Sequence, residues 1–240
     1  MSTNERAAAS LRGGARTTHR RGRMSAVKRT VLTELGPRWM LDPGEVATPG
    51  ALAQRFARDV PRLLDIGGGN GQAARDWAQE HGDHDVVAVE LHRPGIARLV
   101  ADLEGGGPPN VRVVEADVTR LLDDAGPGSF AAVRVLFPDP WPKRRHVGRR
   151  LVEPGFVRRV ADILPVGGWV HLATDWDEYA AQMRWVLATE PRLDPVVEAS
   201  DVGGTSWRTT RPSRPVTAYE QRGLDAGRTI TDLVALRRAG

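Results

Sequence analysis

The 240-residue sequence contains no cysteine, few aromatic residues and no uncharged apolar run long enough to cross a bilayer. The absence of cysteine excludes disulfides, cysteine nucleophiles and zinc–thiolate sites, and it is consistent with a reducing cytoplasm. The six histidines are scattered without metal-ligand spacing, so we expect no metal site. No apolar segment of a secretory signal follows the basic N-terminus, and we therefore expect a cytoplasmic protein without membrane association.

Charge is distributed unevenly, although the formal net charge is only +4. Residues 62–125 contain six Arg or Lys against twelve acids, whereas residues 1–30 contain eight against one and residues 143–159 seven against one. This pattern is typical of an enzyme core beside polyanion-binding surfaces, although arginine on solvated faces would give the same composition. Residues 1–20 lack apolar periodicity and are predicted to form a disordered basic tail.

Short apolar strands alternate with helices from residue 62 onwards, which predicts a doubly wound α/β fold with a mostly parallel sheet. Strands are predicted at residues 62–66, 86–91, 111–116, 130–137, 169–173 and 193–197. Ser25 is placed to cap a helix that ends near Leu35, and residues 42–50 are predicted to form a loop. We expect one domain over residues 21–240, with an N-terminal helical extension.

Acidic residues occur at the ends of five predicted strands, and these are Asp65, Glu90, Asp117, Asp139 and Asp175. Any one of them could instead be a helix N-cap, a common role for aspartate at such a junction. Because parallel strands end at the same edge of a sheet, we expect the five carboxylates to converge on one ligand-binding crevice.

The segment Asp65-Ile66-Gly67-Gly68-Gly69-Asn70-Gly71 predicts a nucleoside-binding turn between the first predicted strand and its helix. Glu90 follows at the distance of an acid that hydrogen-bonds ribose hydroxyls. The glycine spacing differs from the Gly-x-Gly-x-x-Gly of nicotinamide-cofactor proteins, and the charge of Asp65 would repel a pyrophosphate. The pattern therefore favours S-adenosylmethionine, whose methionine portion carries an ammonium group.

The segment Phe137-Pro138-Asp139-Pro140-Trp141-Pro142-Lys143-Arg144-Arg145-His146 fixes a carboxylate between two prolines, with an aromatic ring and a cation cluster after it. An aromatic side chain beside clustered cations is typical of nucleic-acid binding. We interpret the segment as a loop that presents Asp139 to a nucleobase while the cations hold the RNA backbone. Trp141 is predicted either to stack on a base or to pack beneath the loop.

These segments resemble the tRNA (guanine-N7-)-methyltransferase family, which belongs to the class I, Rossmann-like methyltransferases that use S-adenosylmethionine. The resemblance covers residues 21–238 and lies in the two segments above, in Arg149-Arg150-Leu151, in Ala173-Thr174-Asp175-Trp176, in Pro215-Val216-Thr217-Ala218-Tyr219-Glu220-Gln221-Arg222-Gly223, and in Arg21-Gly22-Arg23-Met24. It implies a seven-stranded sheet and methyl transfer to N7 of a guanine at position 46 of the tRNA variable loop.

The resemblance also implies roles for individual residues. Asp139 would be catalytic. The cofactor would contact Asp65, Gly67, Gly69, Glu90, Asp117 and Asp139. The substrate would contact Lys143, Asp175, Thr217, Ala218, Tyr219 and Glu220, and the RNA would contact Arg144, Arg145, His146, Arg149 and Arg150. Where the family often has a second histidine and a lysine after His146, this chain has Val147-Gly148, so one cation is absent.

The expected partner is tRNA, bound by a monomer or a homodimer. N7 of guanine carries a lone pair and no proton, so Asp139 is expected to orient the base and stabilise the developing ring cation. Two other enzyme classes remain open, an exocyclic-amine RNA or DNA methyltransferase and, less favoured by Asp65, a nicotinamide-dependent oxidoreductase. A non-catalytic RNA-binding module is a third alternative, disfavoured by the complete set of acids.

Overall fold

Strands and helices alternate along the computed structural model, which describes residues 24–196, 214 and 216–239. The strands are β1 (Met40–Leu41), β2 (Arg62–Ile66), β3 (Asp85–Glu90), β4 (Val111–Glu115), β5 (Ala132–Leu136), β6 (Trp169–Thr174), β7 (Leu193–Pro195) and β8 (Thr231–Arg237). The helices are α1 (Ala26–Glu34), α2 (Gly36–Trp39), α3 (Pro43–Ala47), α4 (Ala51–Phe56), α5 (Gln72–Glu80), α6 (Arg93–Glu104), α7 (Val118–Asp124), α8 (Pro154–Ile163), α9 (Asp177–Thr189) and α10 (Ala218–Asp225). A 3₁₀ helix covers Arg144–Arg149.

The strands form one sheet in the order β1-β4-β3-β2-β5-β6-β8-β7. Strands β1 to β6 are parallel to one another, whereas β8 runs antiparallel to both β6 and β7. The doubly wound, mostly parallel α/β fold is thus confirmed. The prediction of seven strands was wrong, because the described residues form eight. The edge strand β1 has only two residues and therefore carries no alternating pattern that the sequence could reveal.

The N-terminal part of the described chain corrects one predicted loop. Ser25 caps α1 as expected, and its Oγ accepts a hydrogen bond from the Lys28 N–H at 3.3 Å. Residues 42–50 are not all loop, because α3 begins at Pro43 behind a capping box. The Gly44 N–H donates to Asp42 Oδ1 at 2.9 Å, and the Asp42 N–H donates to Glu45 Oε2 at 2.7 Å. The predicted tail and the end of the last predicted strand, at residue 197, lie outside the described residues.

The apolar core lies on both faces of the sheet. Leu63 and Leu64 are fully buried neighbours on β2, and they belong to the two different clusters that helices cover on opposite faces. Burial on both faces explains why the parallel strands are almost continuously apolar. No helix within the described residues is long and apolar enough to span a membrane.

The loop after β5 is supported from below by α9. The fully buried Tyr179 accepts a hydrogen bond on its hydroxyl from the Val152 N–H at 2.9 Å, and burial raises its pKa. The Arg150 guanidinium lies 4.9 Å from the centre of the Tyr179 ring and donates from Nε to the Pro140 carbonyl at 2.8 Å. Tyr179 and Arg150 therefore fix the position of the segment that follows Asp139.

Removal of the Tyr179 hydroxyl in Tyr179→Phe should lower the free energy of unfolding by about 1–3 kcal/mol, because the Val152 N–H loses its buried acceptor. Chemical denaturation monitored by circular dichroism measures the change. The matched control is Tyr219→Phe, the same change at the more exposed of the chain's two tyrosines, with an expected effect within about 0.5 kcal/mol. Equal losses in the two variants would contradict this role of Tyr179.

Candidate active site

Two cavities meet at the edge of the sheet where the parallel strands end. The smaller, of about 310 Å³, is lined by Glu90, Asp139 and Trp141. The larger, of about 520 Å³, is lined by Asp65 and by the segment 217–219. Both are lined by Gly67, Gly69, Phe137 and Tyr219. A third cavity, of about 880 Å³, lies at the opposite edge of the sheet and contains none of the predicted site residues.

The glycine-rich loop between β2 and α5 brings bare backbone to both cavities. Gly69 has a φ of +60°, a conformation that side chains with a Cβ rarely adopt. The start of α6 approaches this loop so closely that a Cβ on Gly95 would lie 2.3 Å from the Gly69 carbonyl oxygen. Such a turn leaves space for a ligand next to main chain, as a nucleoside cofactor requires.

Glu90 supports this loop and faces the smaller cavity. Its Oε2 accepts a hydrogen bond from the Gly69 N–H at 2.8 Å, and its Oε1 accepts from the N–H groups of Leu91 and His92 at 2.7 and 2.8 Å. A carboxylate has about four lone-pair sites, so at least one remains for a ligand hydroxyl. These three hydrogen bonds hold the Glu90 carboxylate in position at the end of β3.

Asp65 is paired with an arginine that the sequence analysis missed. Arg134 Nε donates to Asp65 Oδ1 at 2.7 Å, and the two side chains are only 1% and 2% exposed. Among the described residues Asp65 Oδ2 has no hydrogen-bond partner, although it is buried at the wall of the larger cavity. An unsatisfied buried carboxylate oxygen fits a cationic donor such as the ammonium group of a methionine moiety. A charged residue inside an apolar strand was the available signal for Arg134.

Asp139 lies on a loop that is rigid for two reasons. It is held between Pro138 and Pro140, and the flanking Phe137 and Trp141 have left-handed φ values of 52° and 44°. Such conformations cost on the order of 1–3 kcal/mol each and are concentrated at functional sites. Within the described part of the chain, the exposed Asp139 carboxylate accepts no hydrogen bond and forms no ion pair. It is therefore available to a ligand in the smaller cavity.

Trp141 is half-buried and is held by two neighbours. The Arg149 guanidinium lies 5.0 Å from the centre of the indole ring, and His146 meets the ring edge-on at 5.7 Å between centres. Desolvation together with the charges of Arg149, Arg145 and Lys143 lowers the pKa of His146. The imidazole is therefore neutral at pH 7, and the positive charge of this segment comes from its arginines and lysine.

The cations after Asp139 divide into two groups. Lys143, Arg144, Arg145 and Arg149 are exposed on or next to the 3₁₀ helix, where they could contact RNA. Arg150 is different, because it is 4% exposed and donates to the Pro140 carbonyl and, at 2.8 Å, to Gln182. The structure thus places Arg150 beneath the loop and not on an RNA-facing surface, which corrects the sequence-based prediction.

The C-terminal segment is only partly exposed to the cavities. Thr217 caps α10 by accepting the Glu220 N–H at 3.1 Å, and Ala218 and Tyr219 line the larger cavity with it. Glu220, predicted to contact substrate, is 1% exposed and pairs with Arg214 at 2.5 Å. Its carboxylate is therefore held inside the fold and away from the surface.

Three of the five strand-end acids line the cavities, namely Asp65, Glu90 and Asp139. Asp117 caps α7 and accepts the Thr119 N–H at 2.9 Å, so the alternative role of N-cap applies to it. Asp175 forms an ion pair with Arg228 at 2.9 Å and lines neither cavity. Lys143 also lies outside both linings.

Over the described ranges no three His, Cys, Asp or Glu side chains are grouped to hold a metal ion.

Comparisons with known proteins match most of the chain. A family model described as "Putative methyltransferase" matches residues 59–233. The tRNA (guanine-N(7)-)-methyltransferase of Alkalilimnicola ehrlichii is 40% identical over 220 residues, which are 91% of this chain and 90% of the relative. The enzyme of the same name from Methylococcus capsulatus is 41% identical over 220 residues, 91% of each chain.

Among solved structures, the 16S rRNA methyltransferase KamB superposes with a TM-score of 0.56 at 18% identity. The match covers 80% of this chain and 94% of KamB, and it concerns the fold alone. The family match includes the glycine-rich loop, Asp139 and Tyr219. Together with the 40% identity to curated relatives over nine-tenths of the sequence, this shows that the chain belongs to the tRNA (guanine-N7-)-methyltransferase family.

Proposed function

We propose that this enzyme transfers a methyl group from S-adenosylmethionine to N7 of a guanine at position 46 of tRNA. The observation that supports this most directly is the position of Asp139. Its carboxylate has no partner in the described part of the chain, and it lines a cavity together with Gly67, Gly69 and Glu90. A base held by Asp139 would therefore lie beside a cofactor held by the glycine-rich loop.

The methyl donor fits the residues present at the strand ends. Asp65 Oδ2 is a buried acceptor for the ammonium group, and the remaining lone pair of Glu90 suits a ribose hydroxyl. Gly67 and Gly69 supply backbone that a ligand can approach closely. S-adenosylmethionine supplies an electrophilic methyl group on a sulfonium. All other contributions to the reaction come from side chains of this chain and from the RNA.

Asp139 orients the nucleophile and does not act as a base. N7 of guanine attacks through a lone pair and has no proton to lose, whereas N1–H and the N2 amino group are two donors that a carboxylate can accept. Methylation makes the purine ring cationic, and a fixed carboxylate stabilises that charge as it develops. Because Phe137 and Trp141 hold the loop in strained conformations, little reorganisation is needed at the moment of reaction.

The exposed cations after Asp139 bind the RNA backbone in this proposal. Lys143, Arg144, Arg145 and Arg149 form the polyanion-binding surface, and the neutral His146 adds a hydrogen-bonding group. The proposed location is the cytoplasm, in which tRNA is the abundant substrate, and the enzyme acts there as a monomer or a homodimer.

The decisive experiment incubates the protein with labelled S-adenosylmethionine and bulk tRNA, followed by cleavage chemistry selective for 7-methylguanine. We expect one cleavage position, in the variable loop. Labelled tRNA that resists this cleavage would mean that another atom is methylated, as in an exocyclic-amine methyltransferase.

Asp139→Asn should lower the single-turnover rate of methyl transfer by about 100-fold or more, because the fixed negative charge next to the purine is lost. Binding of S-adenosylmethionine, measured by calorimetry, should change by less than about threefold. Asp59→Asn is the control, an exposed carboxylate before β2, and it should retain wild-type rates. Near-normal turnover of Asp139→Asn would remove Asp139 from the mechanism.

The double variant Arg144→Ala/Arg145→Ala should flatten the log–log dependence of the tRNA dissociation constant on salt. The expected decrease in slope is just under ~1 for each phosphate that the protein no longer neutralises. Binding is measured by filter retention between low and moderate salt. Arg38→Ala removes an exposed arginine that pairs with Glu104 at the end of α6, on the opposite edge, and should leave the slope unchanged. An unaltered slope in the double variant would exclude these arginines from the RNA interface.

A further inference from the structure

Arg214 contacts three different elements of the protein. Its Nη1 donates to Glu220 on α10 at 2.5 Å, and its Nε and Nη2 donate to the two carboxylate oxygens of Asp232 on β8 at 2.9 and 3.0 Å. Its guanidinium carbon lies 5.4 Å from the centre of the Phe137 ring, at the start of the Asp139 loop. All three polar side chains are almost fully buried.

These interactions join the two walls of the candidate site. Helix α10 carries Tyr219 and the Asp139 loop begins with Phe137, and both residues line both cavities. Glu220 is one residue beyond Tyr219, so an anchor at Glu220 fixes the first turn of α10. Arg214 is thus the one described side chain that holds both α10 and the Asp139 loop through its guanidinium.

The ionisation states of His171 and Asp232, next to Arg214, are constant near neutral pH. His171 Nε2 donates to Asp232 Oδ1 at 2.7 Å, and burial lowers the pKa of this histidine, so its imidazole is neutral at pH 7. Despite its burial, Asp232 has a pKa below the ordinary value because His171 and Arg214 hydrogen-bond its charged form. Asp232 therefore stays ionised and keeps Arg214 in one orientation.

Buried ion pairs are weak evidence of stability, because well-packed apolar side chains can stabilise a fold equally well. What a bidentate guanidinium adds is geometry, since its fork fixes the relative positions of two carboxylates. We propose that Arg214 is a positioning residue for methyl transfer, which sets α10 and Tyr219 relative to the loop of Asp139. Glu220 then acts through Arg214 and not by contact with the base. The inference rests on the proposed function, because it concerns the same site.

A double-mutant cycle in kcat/KM separates positioning from a general loss of folded protein. Arg214→Met should lower kcat/KM by about 100-fold, mainly in kcat, as expected for a displacement on the order of 1 Å. Tyr219→Ala alone should lower it by at least about tenfold, so that a multiplicative double variant would fall clearly below Arg214→Met. The double variant should be no worse than Arg214→Met within about threefold, because Tyr219 is already misplaced. Arg214→Lys, which keeps the charge, should recover part of the rate.

The matched control is Arg58→Met, which breaks a comparable arginine pair with the fully buried Asp85 at the opposite edge of the sheet. Its effect should multiply with that of Tyr219→Ala, because two independent sites are additive in free energy. Multiplicative losses for Arg214→Met and Tyr219→Ala, or a Tyr219→Ala variant with normal kcat/KM, would overturn the inference. If Arg214→Met does not fold, Glu220→Gln replaces it in the same cycle with the same two outcomes. Failure of the wild-type protein to form 7-methylguanine in tRNA would instead contradict the proposed function.

Discussion

The ion pair between Asp65 and Arg134 is the constraint on which the site depends. The two residues are register partners on adjacent parallel strands, and each is almost fully buried. Removal of either partner would leave an uncompensated charge in the core, typically at a cost of about 3–5 kcal/mol. Strand β2 continues into the glycine-rich loop and β5 into the loop of Asp139. The pair therefore aligns the two segments that are proposed to hold the cofactor and the base.

The same row of polar residues continues across the sheet. Arg134 is the register partner of His171 on β6, and His171 hydrogen-bonds Asp232 on the antiparallel strand β8. Asp232 binds Arg214, which in turn binds Glu220 on α10. Each of these interactions is local, yet together they extend from the glycine-rich loop to the helix of Tyr219. The walls of the site are thus supported by charges inside the sheet, whereas apolar packing supports the sheet itself.

Sequence patterns predicted the parts of the site that depend on the chain direction of parallel strands. Glu90 and Asp139 follow apolar strands, so their common edge could be foreseen. Asp117 has the same position in the pattern but caps its helix, and only the structure distinguishes these roles. Arg149 and Arg150 are neighbours in sequence, yet one is exposed and the other lies under the Asp139 loop. The partner of Asp65 is 69 residues away on another strand, and no local pattern contains that contact. The partner of Glu220, Arg214, is close in sequence but lies before α10, so the helical pattern does not reveal it.

Tyr219 belongs to the lining of both cavities, and it is 58% exposed. A single side chain that forms part of two binding spaces cannot change position in one without changing the shape of the other. In the proposed function the cofactor and the base are bound in these spaces, so a movement of this ring when either one binds would link their occupancy. If bound cofactor changes the affinity for RNA by a given factor, bound RNA changes the affinity for the cofactor by the same factor, by thermodynamic reciprocity. In that case the affinity for the methyl donor is a property of the RNA complex as much as of the protein.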